Sequence, residues 1–405
     1  MIEFKAIKKE EALKKNTIFG QIIQLLSRED FQKIVRAYNG DKYTKTLDCW
    51  QQLIVLLYAQ IKDLKSLREI VMSIYSHRSR WNNLGLTNVA RSTLSDANAE
   101  RSCEIFEKLF YKFLDKCRSI APKHRFTINM PVFSHDASLI PLCLSVFPWA
   151  KYRKRKGALK LHLLLDHQGC LPSFIRMTDG KCHEINVVKK DHFGFPELPA
   201  DSILTVDRGF TDFKWLYSLH TKGVLFIIPA KKNMAYDVIG QHKEPVKSRG
   251  IISDDLIDFS NFYQAEDYPE PLRRITYRYV NTKGELQTIT VITNNLKLAA
   301  STIASLYKGR WDIETFFKWI KQNLKIKTFI GTSSNAVMTQ VWVAMILYLL
   351  LSFIKFQTRF KSTLSDLLRI IREVMLESRS LIEYLRMNWD CFFENRKIPV
   401  QLSFL

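Results

Sequence analysis

Nowhere in the 405-residue sequence do two cysteines stand as C-x-x-C. The seven cysteines, at 49, 103, 117, 143, 170, 182 and 391, are odd in number and scattered, which excludes a disulfide framework and a zinc ribbon and leaves reduced thiols as the expectation. Cys170, Cys182 and His183 lie close in sequence, but three soft donors without a fourth read as ordinary residues. A membrane-spanning run is also missing. The longest apolar stretch, Val341 to Ile354, ends at Lys355, short of the roughly 20 residues a bilayer needs, and is expected as a buried core helix. The opening MIEFKAIKKEEALKKN has no signal-peptide apolar segment, so a cytoplasmic location is expected. Internal repeats and low-complexity segments are absent as well. Acidic charge is scarce: 61 Lys and Arg face 40 Asp and Glu, a net +21, the footprint of a chain that meets a polyanion. Ribosomes or a membrane surface could account for that excess, but nucleic acid fits it best. A hydrophobic fraction of 46% argues against disorder and for two or three folding units.

Residues 1–120 carry apolar residues at helical spacing, in LDCWQQLIVLLYAQI and CEIFEKLFYKFLDK, with no strand alternation between them. Ser92-Thr93 resembles a capped helix start, and RSTLSDAN is placed where a small helical DNA-binding domain would expose a turn. From Pro122 the pattern changes. Stretches 126–140, 159–166 and 171–177 are short and rich in branched and aromatic residues, as three strands of an antiparallel meander. Helix near 184–192, strand 203–207, helix 211–221 and strand 224–229 follow. That order predicts an α/β fold, a ribonuclease-H-like mixed sheet flanked by helices. Residues of about 231–298 read as an inserted β-rich subdomain, and the chain is helical again from 300 to about 390. The expected organisation is a helical DNA-binding domain over 1–120, a catalytic domain over 121–355 containing the insertion, and a helical segment over 356–405.

Phosphodiester chemistry calls for carboxylates able to hold two hard cations a few ångströms apart. Three acids fall where such a sheet would converge them: Asp136 in the first strand, Asp207 at the end of the fourth, and Glu314 on the helix after the insertion. Each alone could be a solvated surface acid or a turn former. Gly209 after Asp207-Arg208 permits a tight turn that aims the carboxylate into a cleft. Ser134-His135-Asp136 cannot form a hydrolase triad as a local unit, because neighbours on a strand face opposite sides.

Helical geometry, at about 100° per residue, places Tyr307, Arg310, Glu314 and Lys321 within an arc of about 60°. Lys318 and Lys325 extend that face. Leu306, Ile313, Phe316, Phe317, Ile320 and Leu324 fill the opposite one. A plain surface helix with an i,i+4 Arg–Glu pair would give the same pattern. A carboxylate flanked by phosphate-gripping cations and a tyrosine hydroxyl explains it with fewer coincidences.

These residues resemble a known family, the DDE transposases of bacterial insertion sequences, in the branch with a Y-x2-R-x3-E-x6-K signature. Tyr307, Arg310, Glu314 and Lys321 match every spacing. KGALKLHLLLDHQGCLPSF, TDGKCHE, VDRGF and ITNN are similar to further family segments, so the resemblance covers about 125–355. It implies that Asp136, Asp207 and Glu314 bind metal and catalyse DNA cleavage and strand transfer. It also implies that Tyr307, Arg310 and Lys321 contact DNA phosphate, that two Mg2+ serve each site with Mn2+ able to substitute, and that a homodimer joins terminal inverted repeats to target DNA. One departure is Pro229, where relatives often carry a basic residue; Lys231 and Lys232 are the nearest substitutes. Phe262 and Tyr263 are the candidates to hold a flipped base. A metal-dependent endonuclease of the same fold and a catalytically idle DNA-binding protein are the alternative readings.

Overall fold

A computed structural model describes residues 16–81, 84, 86, 88–153, 156–231, 234–280, 284–324 and 329–387. In chain order it has helices α1 (Ile18–Ile23), α2 (Arg28–Ala37), α3 (Cys49–Lys62), α4 (Leu67–Ser76), α5 (Arg78–Trp81), α6 (Arg91–Glu100) and α7 (Glu104–Arg118). Strands β1 (Val132–Leu142), β2 (Lys151–Arg153), β3 (Lys156–Asp166) and β4 (Leu171–Asp179) follow, then α8 (Glu184–Lys189), β5 (Ile203–Val206), α9 (Phe213–Thr221) and β6 (Leu225–Pro229). The insertion supplies β7 (Asp237–Gln241), β8 (Ile251–Asp258), α10 (Phe262–Asp267), β9 (Leu272–Val280) and β10 (Leu286–Thr293). Helices α11 (Ala300–Gly309), α12 (Trp311–Asn323), α13 (Ser334–Thr358), α14 (Leu364–Val374) and α15 (Leu381–Arg386) complete the described chain.

The chain divides into two compact units. One consists of residues 1–122, 140–158 and 317–395 and is dominated by helices. Its centre is α13, which packs on α3, α6, α7 and α14. Val341–Ile354 is buried throughout, as a helix hydrophobic on every side must be. This helix alone among the described residues is long and apolar enough to cross a membrane, and its burial marks it as a core helix. Trp342 stacks at 5.4 Å on Phe110, and Phe353 at 5.6 Å on Phe113. That packing assigns α13 to the helical unit, where the sequence placed it at the end of the catalytic domain. Ends are set locally: Asp48 and Gln51 close a capping box on α3. Ser92 and Thr93 do not cap α6. Ala90 is its N-cap, without a side-chain bond, and RSTLSDAN lies inside the helix instead of forming a turn.

The other unit, among the described residues 123–139 and 159–316, holds the body of a large mixed sheet. The strand order is β2-β3-β1-β5-β6-β10-β9-β8-β7, with β4 paired to β3. β1, β5 and β6 run parallel, with Ser134 beside Thr205 and His135 beside Val206. β10 runs antiparallel to β6, so the insertion extends the sheet and is not a separate β subdomain. The three strands expected as a meander, β1, β3 and β4, are neighbours in that order, with β4 antiparallel to β3, and the first begins at Val132, not at 126. Alternation on these strands feeds two cores. Phe133, Leu204, Val206 and Phe226 join Phe210, Phe213 and Leu216 on one face. Val132, Ile203, Ile227 and Val291 meet Ile303, Leu306 and Tyr307 of α11 on the other.

Candidate active site

The parallel register fixes the first two acids. His135 pairs with Val206, so the next residues along continue side by side: Asp136, in the middle of β1, and Asp207, just past the carboxyl end of β5. Ligands bind at such strand ends in open α/β sheets. Alternation puts Asp136 on the face shared with Val132, toward α11, while His135 points to the opposite core between Phe195 and Phe210. His135 Nδ1 bonds the Leu163 carbonyl at 2.8 Å, so it takes no part with Asp136 in a local triad. Asp207 Oδ1 accepts from the Gly209 amide at 2.8 Å, the tight turn that glycine permits. A β carbon on Gly209 would stand 3.0 Å from Asp207 Oδ1 and 3.3 Å from Glu184 Oε2, which places a fourth carboxylate at this corner. Lys160 pairs with Glu184 at 3.5 Å.

The third acid arrives on the paired helices. α11 and α12 are not one helix: the chain tightens at Gly309-Arg310, where the Arg310 amide bonds Tyr307 and the Ile313 amide bonds Arg310, each three residues back. Gly309 is needed there for space, since a β carbon would fall 2.4 Å from Phe126 Cζ. Beyond the break Arg310 turns inward. Its guanidinium spans Glu314 Oε1 at 2.8 Å and Asp136 Oδ2 at 3.4 Å, with a side chain only 10% exposed. Its Nε is buried without a hydrogen-bond partner. The Tyr307 ring lies beside the guanidinium, 5.7 Å from its carbon, and Tyr307 is buried.

Burial pushes the Asp136 carboxyl up to about 7, against the pull of the Ala137 amide and Arg310, and the neighbouring Asp207 and Glu184 carboxylates raise it further. Hard oxygen donors from two adjacent strands and a helix are what divalent cations such as Mg2+ take, so the donor set fits such ions. Among the described residues no three acidic, histidine or cysteine side chains are grouped to hold one ion, and Asp136 and Glu314 both pair with Arg310. Cys170, Cys182 and His183 form no such cluster either.

Lys318 is exposed and Lys321 half-buried, both further along α12; Lys325 and Lys232 lie outside the described residues. The expected apolar face is buried at Leu306, Ile313, Phe316, Phe317, Ile320 and Leu324. Phe262 and Tyr263 are each 76% exposed. The reading of the residues missed Glu184, whose only trace was the TDGKCHE segment, and the inward turn of Arg310.

Acids on adjacent parallel strands, joined through an arginine to a helical glutamate, are a donor set that metal-dependent phosphoryl chemistry could use. Residues 128–350 match the family described as Transposase DDE domain, and the chain belongs to it. Residues 14–87 match a domain of unknown function, DUF4372. The chain is 30% identical to y4zB, a protein of Sinorhizobium fredii assigned as a transposase, over 64% of this chain and 69% of that one. It is 27% identical to the protein assigned as the transposase of insertion sequence element IS5377 from Geobacillus stearothermophilus, over 87% and 89%. A piggyBac transposase synaptic complex with hairpin DNA aligns with TM-score 0.46 at 12% identity, over 90% of this chain and 83% of that one. The protein is thus a DNA-cleaving and strand-transferring enzyme that depends on divalent metal.

Proposed function

We propose that Asp136, Asp207 and Glu314 are the catalytic carboxylates of an insertion-sequence transposase of the Y-x2-R-x3-E-x6-K branch, on a ribonuclease-H-like sheet. The observation that carries this is the Arg310 bridge between Asp136 and Glu314, with Asp207 held beside Asp136 by the strand register. The three carboxylates would hold two Mg2+, with Mn2+ able to substitute. Bound there, the ions supply charge neutralisation at phosphorus and activate the attacking oxygen. The protein's own part is placement. Tyr307, Lys318, Lys321 and Lys325 grip backbone phosphates, and Arg310 exchanges its two carboxylates for a phosphate, a bidentate partner its planar fork matches.

Water attacks phosphorus at the element's end, breaking the phosphodiester and leaving a 3′ hydroxyl. That hydroxyl attacks a target phosphodiester in turn, one P–O bond replacing another, with no covalent protein intermediate. The substrates are terminal inverted repeats and target DNA, brought together by a homodimer. The N-terminal domain over 1–120 binds DNA and residues 121–355 carry the chemistry; of the segments expected to be helical, residues 1–15 and 388–405 lie outside the described residues. The work is done in the cytoplasm, at the nucleoid.

The test uses a labelled duplex bearing the element's end, with a target plasmid and Mg2+. Asp136→Asn and Glu314→Gln abolish both cleavage and joining while DNA binding persists. Normal strand transfer by either variant overturns the assignment, and cleavage without joining by the wild type favours the endonuclease reading.

A further inference from the structure

Beneath the three carboxylates runs one chain of buried polar groups. Thr205 Oγ1 and Ser134 Oγ are 2.7 Å apart, Ser134 Oγ and His167 Nε2 are 2.7 Å apart, and His167 Nδ1 meets Asp312 Oδ2 at 3.3 Å. Arg125 closes the far end on Asp312 at 3.1 Å. Thr205 stands two residues before Asp207, Ser134 two before Asp136, and Asp312 two before Glu314. The chain therefore links the three elements that present the acids, β5, β1 and α12. Ser134 and Thr205 are fully buried and His167 is 4% exposed. The Phe126 ring, which also fills the space over Gly309, packs edge-on against His167 at 5.4 Å.

His167 thus stands between the two elements, its Nε2 hydrogen-bonded with Ser134 Oγ and its Nδ1 facing the Asp312 carboxylate. Serine, histidine and aspartate in this order are the bonding pattern of a nucleophilic triad. Two facts exclude that use: Ser134 is fully buried, and its Oγ is already bonded to Thr205 as well as to His167. What remains is mechanical. On the strands, residues two apart share a face, so a bond between Ser134 and Thr205 sets the spacing of Asp136 and Asp207 directly. On α12 a shift of Asp312 moves Glu314 with it, because both lie in one helical turn.

We infer that His167 is a positioning residue of the active site, which through Ser134 and Asp312 fixes the strand that carries Asp136 against the helix that carries Glu314. This rests on the reading of Asp136, Asp207 and Glu314 as metal-binding carboxylates. Groups that orient metal-binding side chains typically cost 10- to 100-fold in metal affinity when removed.

Mn2+ affinity of the full-length protein, measured by calorimetry at a temperature well below unfolding, tests it. His167→Phe keeps the aromatic contact and loses the hydrogen bond to Ser134 and the ion-pair contact with Asp312; Asp312→Asn, at the rim of the network, perturbs folding less. Both weaken Mn2+ binding at least about 10-fold while affinity for duplex DNA in EDTA stays within about 2-fold. If Asp136→Asn loses Mn2+ binding but His167→Phe and Asp312→Asn bind as wild type and only melt lower, the network is scaffold and the inference is overturned. If Asp136→Asn binds Mn2+ as wild type, the underlying reading of the carboxylates fails. Should His167→Phe not fold, Asp312→Asn decides on the same two outcomes.

Discussion

Replacing Arg310 by methionine separates the two jobs assigned to it. The arginine side chain is 10% exposed and Asp136 16%, so that half of the bridge is close to the interior, whereas Glu314 is 41% exposed and its half is screened by water. Removing one partner of a buried ion pair costs about 3–5 kcal/mol, and exposed pairs contribute about 0–1 kcal/mol. A site between these limits predicts a loss of about 2–3 kcal/mol for Arg310→Met without metal. At about 1 °C per kcal/mol for a chain of this size unfolding as one, the midpoint in EDTA falls by about 2–4 °C. Divalent cations reverse the balance. With the guanidinium gone, Asp136 and Glu314 no longer have to give up a cation to accept one. Each tenfold gain in Mn2+ affinity adds about 1.4 kcal/mol of stability at saturation. Thermal unfolding in EDTA and in millimolar Mn2+ therefore shows a larger metal-induced rise for Arg310→Met than for wild type. An unchanged midpoint in EDTA, or a metal-induced rise no greater than that of wild type, refutes the idea that Arg310 occupies the place of the missing positive charge.

Two further perturbations test the scaffold. Asp254 and Arg273 are joined by two 2.7 Å bonds at 2% and 0% exposure, and Arg273 also holds the Asn295 and Leu298 carbonyls just before α11. Asp254→Ala costs about 3–5 kcal/mol in urea unfolding, and Asp254→Leu with Arg273→Met recovers part of it. Burial, with His135 and Lys160 nearby, lowers the His162 pKa to about 3, so the ring is neutral in the fold and charges more readily when unfolded. Its contribution to stability is complete above pH 6.5 and declines by up to about 1.4 kcal/mol per unit as pH falls from 6.5 toward 3. Melting across pH 4–7 shows that decline, and His162→Gln makes it shallower.

Periodicity located the elements and the acids because each rests on local information. The buried face of α12, from Ile313 to Leu324, follows from 3.6-residue spacing alone. Val341–Ile354 was recognised as a core helix from its length, but not as the centre of the helical unit, because that depends on the shapes of partners such as Phe110. Arg310 was legible as a cation on the Glu314 face. Its inward turn was not, since the tightened step at Gly309 answers to Phe126, a residue far away in sequence. Likewise β10 pairs with β6 through a contact no window of sequence contains, so the inserted β-rich stretch was legible but its continuity with the main sheet was not. His167 and Asp312 each resemble a lone polar residue until the fold brings them together with Ser134.

The central claim, that the carboxylates of Asp136, Asp207 and Glu314 hold the reaction's metal ions, is tested most directly by exchanging an oxygen donor for sulfur. Thiolate is a poor ligand for Mg2+ and a better one for softer ions. Asp207→Cys, assayed for cleavage of the element's end, is predicted to be inactive in Mg2+ and to regain activity in Mn2+. Cleavage at the wild-type rate in Mg2+ contradicts the claim.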